Sequence, residues 1–191
     1  MTSLDLARAR KFFLHSVKRP SDGRHEVPCV AFVGRSNVGK SSLINALVFQ
    51  RGLLGTSSKP GRTRRLAGVL VGSGLELVDT PGYGYSSRRE WGQATMKFLR
   101  TRMLRRAFVL VDARHGLKPA DHQILGLLEA QGVSWQMVLT KADKAPSDGM
   151  GVEVEALHHA VAGDAQILTT SAQKRQGLDA LRLTILAALR A

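Results

Sequence analysis

The sequence predicts an α/β domain of three layers, in which a mostly parallel six-stranded sheet with one antiparallel strand carries helices on both faces. Two observations predict it. Short apolar runs at 29–33, 107–111 and 135–139 are typical of strands that are buried on both faces of a parallel sheet. Stretches with helical periodicity separate these runs, and strands that alternate with helices indicate parallel connections.

The remaining elements fit the same plan. Segments 66–71 and 75–79 flank a Gly-Ser-Gly turn and predict a hairpin at the side of the sheet, which supplies the antiparallel strand. A sixth strand should end just before Thr170. The predicted helices span residues 40–49, 89–105, 119–130, 150–161 and 176–190.

Length and composition favour one globular domain. The 191 residues are 43% hydrophobic and 23% charged, and we divide them into an N-terminal extension, 1–22, that packs on a domain spanning 23–191. The single cysteine, Cys29, excludes a disulfide framework and is predicted to be a buried strand residue. No apolar run is long enough to span a membrane, so we expect a cytoplasmic protein, and we expect a monomer.

The charge is distributed unevenly. Residues 1–106 hold 20 basic and 6 acidic side chains, whereas residues 107–191 hold 8 basic and 9 acidic ones. Arginines outnumber lysines 19 to 9, and guanidinium is the better bidentate ligand for phosphate. This asymmetry favours a polyanionic partner such as nucleic acid over a generally solvated basic surface.

The first chemical motif directly follows the run at 29–33. It reads G-R-S-N-V-G-K-S and opens the helix predicted at 40–49. Its glycines let the backbone curl so that several N–H groups face one phosphate chain at the positive end of the helix dipole. Lys40 should reach the β- and γ-phosphates, and the Ser41 hydroxyl should be a ligand of Mg²⁺. The predicted phosphate-binding residues are Gly34, Arg35, Ser36, Asn37, Val38, Gly39, Lys40, Ser41 and Ser42.

A second motif, D-T-P-G, ends the strand predicted at 75–79. It consists of Asp79, Thr80, Pro81 and Gly82. The Asp79 carboxylate can hold Mg²⁺ through a water molecule, and the Gly82 N–H can meet a γ-phosphate because no side chain intervenes. The motif alone is too short to be specific, so its meaning depends on the phosphate loop before it.

A third motif would decide which base is bound. Thr140, Lys141, Ala142 and Asp143 follow the run at 135–139. The two Asp143 oxygens match the N1–H and N2–H donors of guanine, a pair that adenine lacks, and the Lys141 stem can cover the base. At the end of the last strand, a backbone N–H of the segment Thr170, Ser171 and Ala172 should meet the guanine O6.

With these motifs in this order, the sequence resembles P-loop GTPases of the Ras-like fold, and in particular the EngB family of bacterial ribosome-assembly GTPases. The resemblance covers about residue 20 to the end and includes G-R-S-N-V-G-K-S-S-L-I-N-A-L, S-K-P-G-R-T, V-D-T-P-G-Y-G-Y, V-D-A-R-H and L-T-K-A-D. It implies that GTP and GDP are the ligands and that slow GTP hydrolysis is the activity. It also implies association with the large ribosomal subunit precursor and its rRNA, and a link to division septum formation.

The resemblance also assigns residues that the motifs alone do not. It implies that the first switch contains Gly61, Arg62, Thr63, Arg64 and Arg65, with Thr63 as the second protein ligand of Mg²⁺. Lys40, Thr63 and Gly82 are the residues that would act on the transferred phosphoryl group.

Three positions depart from the general GTPase pattern or add to it. Thr140 stands where many GTPases have Asn, which removes an amide brace. Tyr83 stands where Ras-type enzymes keep the glutamine that orients the attacking water, so slow turnover is expected. Asn37 either helps to hold a K⁺ ion beside the phosphates or only forms a turn that Asn tolerates well.

Two other functions stay open at this point. A P-loop small-molecule kinase would need an acceptor site that the sequence does not reveal, and a basic RNA-binding module would need a degenerate nucleotide site, although the motifs are intact. Basic residues around the helix predicted at 89–105 favour RNA contact over a solvated face: they are Arg88, Arg89, Lys97, Arg100, Arg102, Arg105 and Arg106.

Overall fold

The computed structural model describes residues 16–19, 27–55, 66–72, 74–84, 93–145 and 167–190. The strands in these residues are β1 (Ser16–Arg19), β2 (Cys29–Gly34), β3 (Ala67–Val71), β4 (Leu75–Asp79), β5 (Leu104–Asp112), β6 (Trp135–Thr140) and β7 (Leu168–Thr169). The helices are α1 (Lys40–Leu47), α2 (Gln93–Leu99), α3 (Pro119–Ala130) and α4 (Leu178–Ala188), with a 3-10 turn at Ala142–Lys144.

One sheet contains all of these strands, in the order β1-β3-β4-β2-β5-β6-β7. β3 runs antiparallel to both of its neighbours, and the pairs from β4 to β7 are parallel. The predicted fold class and its six strands are therefore confirmed. The seventh strand, β1, comes from the segment assigned to the N-terminal extension. Its sequence, S-V-K-R, contains no apolar run that would predict a strand. The segment is extended because its backbone pairs with the edge of β3.

Helices cover the sheet on both faces, as the apolar runs predict. In β2, Val30 and Phe32 pack with α1 and α4, whereas Cys29, Ala31 and Val33 pack with α2 and α3. Successive side chains of a strand point to opposite faces, so a run of consecutive apolar residues is needed when both faces are covered. Cys29 is fully buried, as predicted.

The helix boundaries agree with the sequence except at one place. The prediction of a helix over 89–105 is wrong at its end, because α2 stops at Leu99 and β5 begins at Leu104. Leu104 pairs with Cys29, and the Cys29 N–H donates to the Met103 carbonyl. These long-range bonds to β2 extend the strand into a charged segment. The helix predicted at 150–161 lies outside the described residues.

The topology places the functional loops together. β2, β4, β5, β6 and β7 all run in one direction, so their carboxyl ends meet at one edge of the sheet. In open sheets of this kind, ligands bind outside that edge. No helix among the described residues is long and apolar enough to cross a membrane.

Candidate functional site

The loop between β2 and α1 has the curled backbone that phosphate binding requires. Asn37 and Gly39 adopt left-handed conformations, with φ of 64° and 111°. A side chain at Gly34 would lie 2.8 Å from Val38 Cγ1, so the loop can close over the strand end only around a glycine. The helix then begins at Lys40 and directs its positive end at the loop.

Lys40 stabilises this loop from inside. Its ammonium group is buried and donates to the carbonyls of Gly34 (2.8 Å) and Arg35 (3.0 Å). Burial lowers the pKa of Lys40 to about 8, although the nearby Asp79 carboxylate favours the charged form. An anion in the loop would raise that pKa again, so the site is electrostatically suited to phosphate.

Ser41 and Asp79 form the candidate metal centre. The Ser41 hydroxyl donates to Asp79 Oδ2, whereas Oδ1 is buried and has no hydrogen-bond partner in the described part of the chain. Burial raises the pKa of Asp79, and the charge of Lys40 and the hydrogen bond from Ser41 partly oppose this. A hydroxyl and a carboxylate with a buried unpaired oxygen fit Mg²⁺, which prefers hard oxygen ligands.

Gly82 lies directly against the phosphate loop. A Cβ atom at this position would lie 2.7 Å from the backbone N and Cα of Ser36. The Ser36 N–H donates to the Tyr83 carbonyl (3.1 Å), and the Tyr83 N–H donates to the Gly34 carbonyl (3.4 Å). Thr80 anchors the preceding turn through its hydroxyl, which donates to the Phe32 carbonyl. Only glycine permits this approach of the two loops.

The Tyr83 side chain is buried and turned away from solvent. Its hydroxyl donates to Asp121 Oδ1 of α3 at 2.7 Å. Burial, together with the charge and the hydrogen bond of Asp121, raises the pKa of the Tyr83 phenol well above its ordinary value. Tyr83 is therefore a neutral hydrogen-bond donor whose only titratable proton is already held by Asp121.

A pocket of about 160 Å³ lies where the base motif meets the phosphate loop. Its walls include Gly39 and Ser42 from the loop, and Thr140, Lys141 and Asp143 from the base motif. Thr170, Ala172 and Gln173, after β7, close another side. Asp143 Oδ1 accepts a hydrogen bond from the Ser171 hydroxyl, which orients the carboxylate.

Two side chains of the base motif brace the phosphate loop. Lys141 donates to the Asn37 carbonyl (2.7 Å), and the Thr140 hydroxyl donates to the Val38 carbonyl (2.7 Å). The expectation that Thr140 removes a brace is therefore corrected, because its hydroxyl reaches the loop carbonyl from the end of β6. The backbone also contributes, since the Ala142 N–H donates to the Thr170 carbonyl.

Asp112, at the end of β5, holds Lys141 in place. It accepts hydrogen bonds from the Lys141 ammonium (2.9 Å) and from Arg114 Nη2 (2.7 Å) and Nε (2.9 Å). Burial opposes ionisation of Asp112, but the hydrogen bonds from Arg114 and Lys141 outweigh it and hold the pKa below its usual range. Asp112 was not among the predicted site residues. Its signals are its position at a strand end and its place in V-D-A-R-H, and neither of them assigns it a role.

The structure brings most of the predicted site residues to one sheet edge. Residues 34–42, 79–82, 140–143 and 170–172 surround a continuous surface there. The first-switch residues Gly61, Arg62, Thr63, Arg64 and Arg65 lie outside the described residues. Among the residues that sequence reasoning missed are Asp112 and Asp121, which contact this surface from β5 and α3.

The basic residues proposed for RNA contact lie at the other edge. Lys97, Arg100, Arg102 and Arg105 are exposed around the end of α2 and the start of β5. Arg106 instead points partly inward and donates to Gln136 Oε1 at 3.0 Å. Arg105, which the helix predicted at 89–105 includes, lies in β5, and Arg106 follows it in the same strand. Arg88 and Arg89 lie outside the described residues.

The chain is similar to known GTP-binding proteins in sequence. Residues 29–141 match the family described as 50S ribosome-binding GTPase. The probable GTP-binding protein EngB of Sinorhizobium medicae is 41% identical in an alignment 186 residues long, and the match covers 87% of this chain and 84% of that protein. The probable GTP-binding protein EngB of Ruegeria pomeroyi is 46% identical in an alignment 166 residues long, and the match covers 82% of this chain and 76% of that protein.

Solved structures agree in fold. A variant of Aquifex aeolicus Era bound to GDP and AlF4⁻ superposes with a TM-score of 0.68 at 27% identity, covering 85% of this chain and 56% of Era. A crystal structure of a probable GTP-binding protein engB superposes with a TM-score of 0.67 at 20% identity, covering 85% and 98%. The extent and level of the sequence identity establish that this chain belongs to the EngB family of GTP-binding proteins and is a GTPase.

Proposed function

We propose that this GTPase is a nucleotide-dependent switch in the assembly of the large ribosomal subunit. The observation that carries the proposal is that residues 34–42, 79–82, 140–143 and 170–172 meet at one sheet edge, whereas exposed arginines lie at the other. The family description, 50S ribosome-binding GTPase, supports the partner. A ribosomal partner implies the cytoplasm. A link to division septum formation and a monomeric state stay predictions.

The nucleotide would lie across the phosphate loop and the base pocket. Backbone N–H groups of residues 34–42 and the Lys40 ammonium would hold the phosphates, and Lys40 would exchange its loop carbonyls for phosphate oxygens. The Gly82 N–H would meet the γ-phosphate. Asp143 would accept from guanine N1–H and N2–H, and a backbone N–H near Ala172 would donate to O6.

Mg²⁺ would be held by Ser41 and Thr63 directly and by Asp79 through water. When bound, the ion supplies positive charge that offsets the charge on the phosphate oxygens. Thr63, together with Lys40 and Gly82, completes the set proposed to act on the transferred phosphoryl group. A structure with a GTP analogue in which Thr63 lies far from the metal would contradict this assignment.

We also propose a low intrinsic hydrolysis rate that depends on K⁺. Tyr83 is held by Asp121, so its side chain does not take over the role of a glutamine that orients the attacking water. Asn37 sits exposed in the phosphate loop, where its side-chain oxygen could hold K⁺ beside the phosphates. Its φ of 64° equally supports the turn-forming role. Hydrolysis should rise severalfold when K⁺ replaces Na⁺ at equal ionic strength, and Asn37→Ala should remove that preference without weakening GDP binding.

The proposed RNA contact uses Lys97, Arg100, Arg102 and Arg105. All four are exposed within nine consecutive positions, which is the density expected of a phosphate-binding patch. Era, a relative in fold at 26% identity, has been crystallised with MgGDPNP and nucleotides 1506–1542 of 16S rRNA, which supports RNA as a partner class. We further propose that residues 1–22 are an extension of a GTP-binding domain at 23–191, and the pairing of β1 with β3 supports its packing.

Cosedimentation with large-subunit precursors tests the ribosomal role. The protein should pellet with the precursor when loaded with a GTP analogue and should be released with GDP. Equal pelleting in both states, or none in either, would contradict the switch.

Nucleotide-dissociation rates for GDP and ADP separate a GTPase from a small-molecule kinase, because only a guanine site slows GDP release selectively. Measurable GTP hydrolysis would exclude an RNA-binding module with a degenerate site.

A further inference from the structure

Asp121 of α3 joins the phosphate loop to the segment 80–84 that follows β4. Its carboxylate is fully buried, and both of its oxygens have partners. Oδ1 accepts the Tyr83 hydroxyl at 2.7 Å, and Oδ2 lies 3.2 Å from Arg35 Nε of the phosphate loop. Oδ2 also accepts the Lys118 N–H at 2.8 Å, which fixes the carboxylate to the first turn of α3. One rigid anion therefore contacts side chains from both loops.

The two side chains come from backbone segments that already touch. Arg35 and Tyr83 form an isolated parallel bridge, in which the Ser36 N–H donates to the Tyr83 carbonyl and the Tyr83 N–H donates to the Gly34 carbonyl. Arg35 is held further by its Nη2, which donates to the Gly116 carbonyl at 3.3 Å. Because Gly82 precedes Tyr83 and lies against Ser36, its main chain moves only if this bridge moves.

The energetics favour a fixed arrangement. A buried carboxylate is costly unless it is paired and hydrogen-bonded, so moving Arg35 or Tyr83 away from Asp121 would cost free energy. The Tyr83 ring is buried among residues of α2 and α3, and its hydroxyl is directed at Asp121. Through Asp121, α3 thus helps to set the spacing between the phosphate loop and the segment that contains Tyr83.

We propose that Asp121 is a positioning residue for the phosphate end of the nucleotide site. Through Tyr83 and Arg35, it holds the Gly82 main chain at the separation from the phosphate loop that a γ-phosphate needs. The inference rests on the proposed function, since only a triphosphate offers the group that Gly82 meets. GDP ends before this point and is bound by the loop and the base pocket.

Tyr83→Phe tests the proposal, because it removes one hydroxyl and keeps the ring. The affinities for GDP and for a nonhydrolysable GTP analogue are measured by titration with fluorescent nucleotides, together with kcat and KM. The analogue Kd should rise about fivefold or more, the GDP Kd should change less than about twofold, and kcat/KM should fall with the analogue affinity. The matched control is His122→Ala, an exposed neighbour on α3 that should change neither affinity.

A double-mutant cycle then asks whether Asp121 mediates the effect. In an Asp121→Ala background, Tyr83→Phe should cause no further change in the ratio of the two affinities, because its partner is gone. Equal weakening of both nucleotides, an unchanged ratio, or additive effects would overturn the proposal. If Asp121→Ala fails to fold, the single variant Tyr83→Phe decides. A wild-type protein that binds ADP as tightly as GDP would instead refute the proposed function itself.

Discussion

Asp143 shows how one side chain can select a base. Its carboxylate faces the pocket, and the Ser171 hydroxyl holds one oxygen, so its orientation is set before any ligand arrives. Preorganised acceptors reject a ligand that lacks the matching donors, since mismatched groups would stay buried without partners. The hydrogen bond from Ser171 therefore supports the proposal that Asp143 selects guanine over adenine.

Asp143→Asn should exchange guanine for xanthine preference. The amide presents a donor to the carbonyl that xanthine carries at C2, whereas it meets the guanine amino group with a second donor. GTP affinity should fall about 100-fold or more, and XTP affinity should rise correspondingly. Competition titrations with GTP, XTP and ATP measure this, with Glu129→Ala as the control, because Glu129 is exposed on α3 and does not line the pocket. An unchanged GTP preference in Asp143→Asn would contradict the assigned base contact.

The buried thiol of Cys29 should make the free energy of unfolding depend on pH. Desolvation, with the negative charge of Glu76 adding to it and Arg105 opposing it, raises the pKa of this thiol from 9.0 to about 12. The unfolded chain therefore loses the proton first. Between pH 9 and 11, the free energy of unfolding should fall by up to about 1.4 kcal/mol per pH unit from this group.

Urea unfolding at pH 8, 9, 10 and 11 tests this expectation against a Cys29→Ala variant. The wild-type free energy of unfolding should decline more steeply with pH than that of the variant, and the native thiol should resist a disulfide reagent at pH 8. Parallel pH profiles for the two proteins would show that the thiol ionises equally well in the folded state.

The site residues divide into those that local patterns reveal and those that only the fold reveals. The phosphate loop could be predicted from glycine spacing and one lysine, because its function depends on consecutive backbone groups. The Tyr83 contact with Asp121 could not, since 38 residues separate them and Asp121 by itself reads as an ordinary acid in a first helical turn. Thr140 was misread because its acceptor, the Val38 carbonyl, is far away in sequence.

At the scale of elements, Arg182 ties α4 to α1. The side chain is buried, and its Nε and Nη2 donate to the carbonyls of Leu47 and Ala46, both at 2.9 Å. Its Nη1 donates to Asp179 (2.7 Å), and the guanidinium lies 4.1 Å from the centre of the Phe49 ring. The cation thereby satisfies the end of α1, where the helix dipole is negative.

Arg182→Met should destabilise the protein by about 3 kcal/mol, because the aliphatic volume is kept while buried carbonyls and Asp179 lose their donor. Urea unfolding monitored by circular dichroism measures the change. The control is Arg190→Met, an exposed residue just after the same helix, which should change stability by less than about 0.5 kcal/mol. A loss as small as that of the control would show that water replaces the donor.

The bounds of a strand could be predicted where burial of its side chains determines them. They could be predicted less well where backbone pairing with a neighbouring strand determines them. The run at 135–139 becomes β6, Trp135–Thr140, nearly as predicted, since both faces of the strand are covered and every position after Trp135 is buried. Residues 104 and 105 are predicted as the end of a helix and two arginines follow Leu104, yet this segment pairs with β2. β1 follows the same rule, because a partner strand rather than its own composition makes it extended.

At the scale of the molecule, the exposed arginines near the start of β5 lie at the opposite end of the sheet from the nucleotide site. Reversing the charge of Arg100, Arg102 and Arg105 to Glu should weaken binding to large-subunit precursors strongly, and the slope of log affinity against log salt should decrease in magnitude by about one per lost phosphate contact. GTP hydrolysis without RNA should change little, because none of the three lies at the nucleotide edge. Filter binding at several salt concentrations measures this. Salt-insensitive wild-type binding, or a loss of GTP affinity in the variant, would contradict the separation.

β5 connects these two regions along its whole length. It begins beside the exposed arginines and ends at Asp112, which holds Lys141 over the base pocket, so its nine residues span about 30 Å between them. The strand is fully buried from Ala107 to Asp112, so the connection between the two regions runs through the packed core. If a polyanion at the first end changes guanine-nucleotide affinity by some factor, thermodynamic reciprocity requires the nucleotide to change polyanion affinity by the same factor. A measurement at either end therefore yields the coupling energy for both.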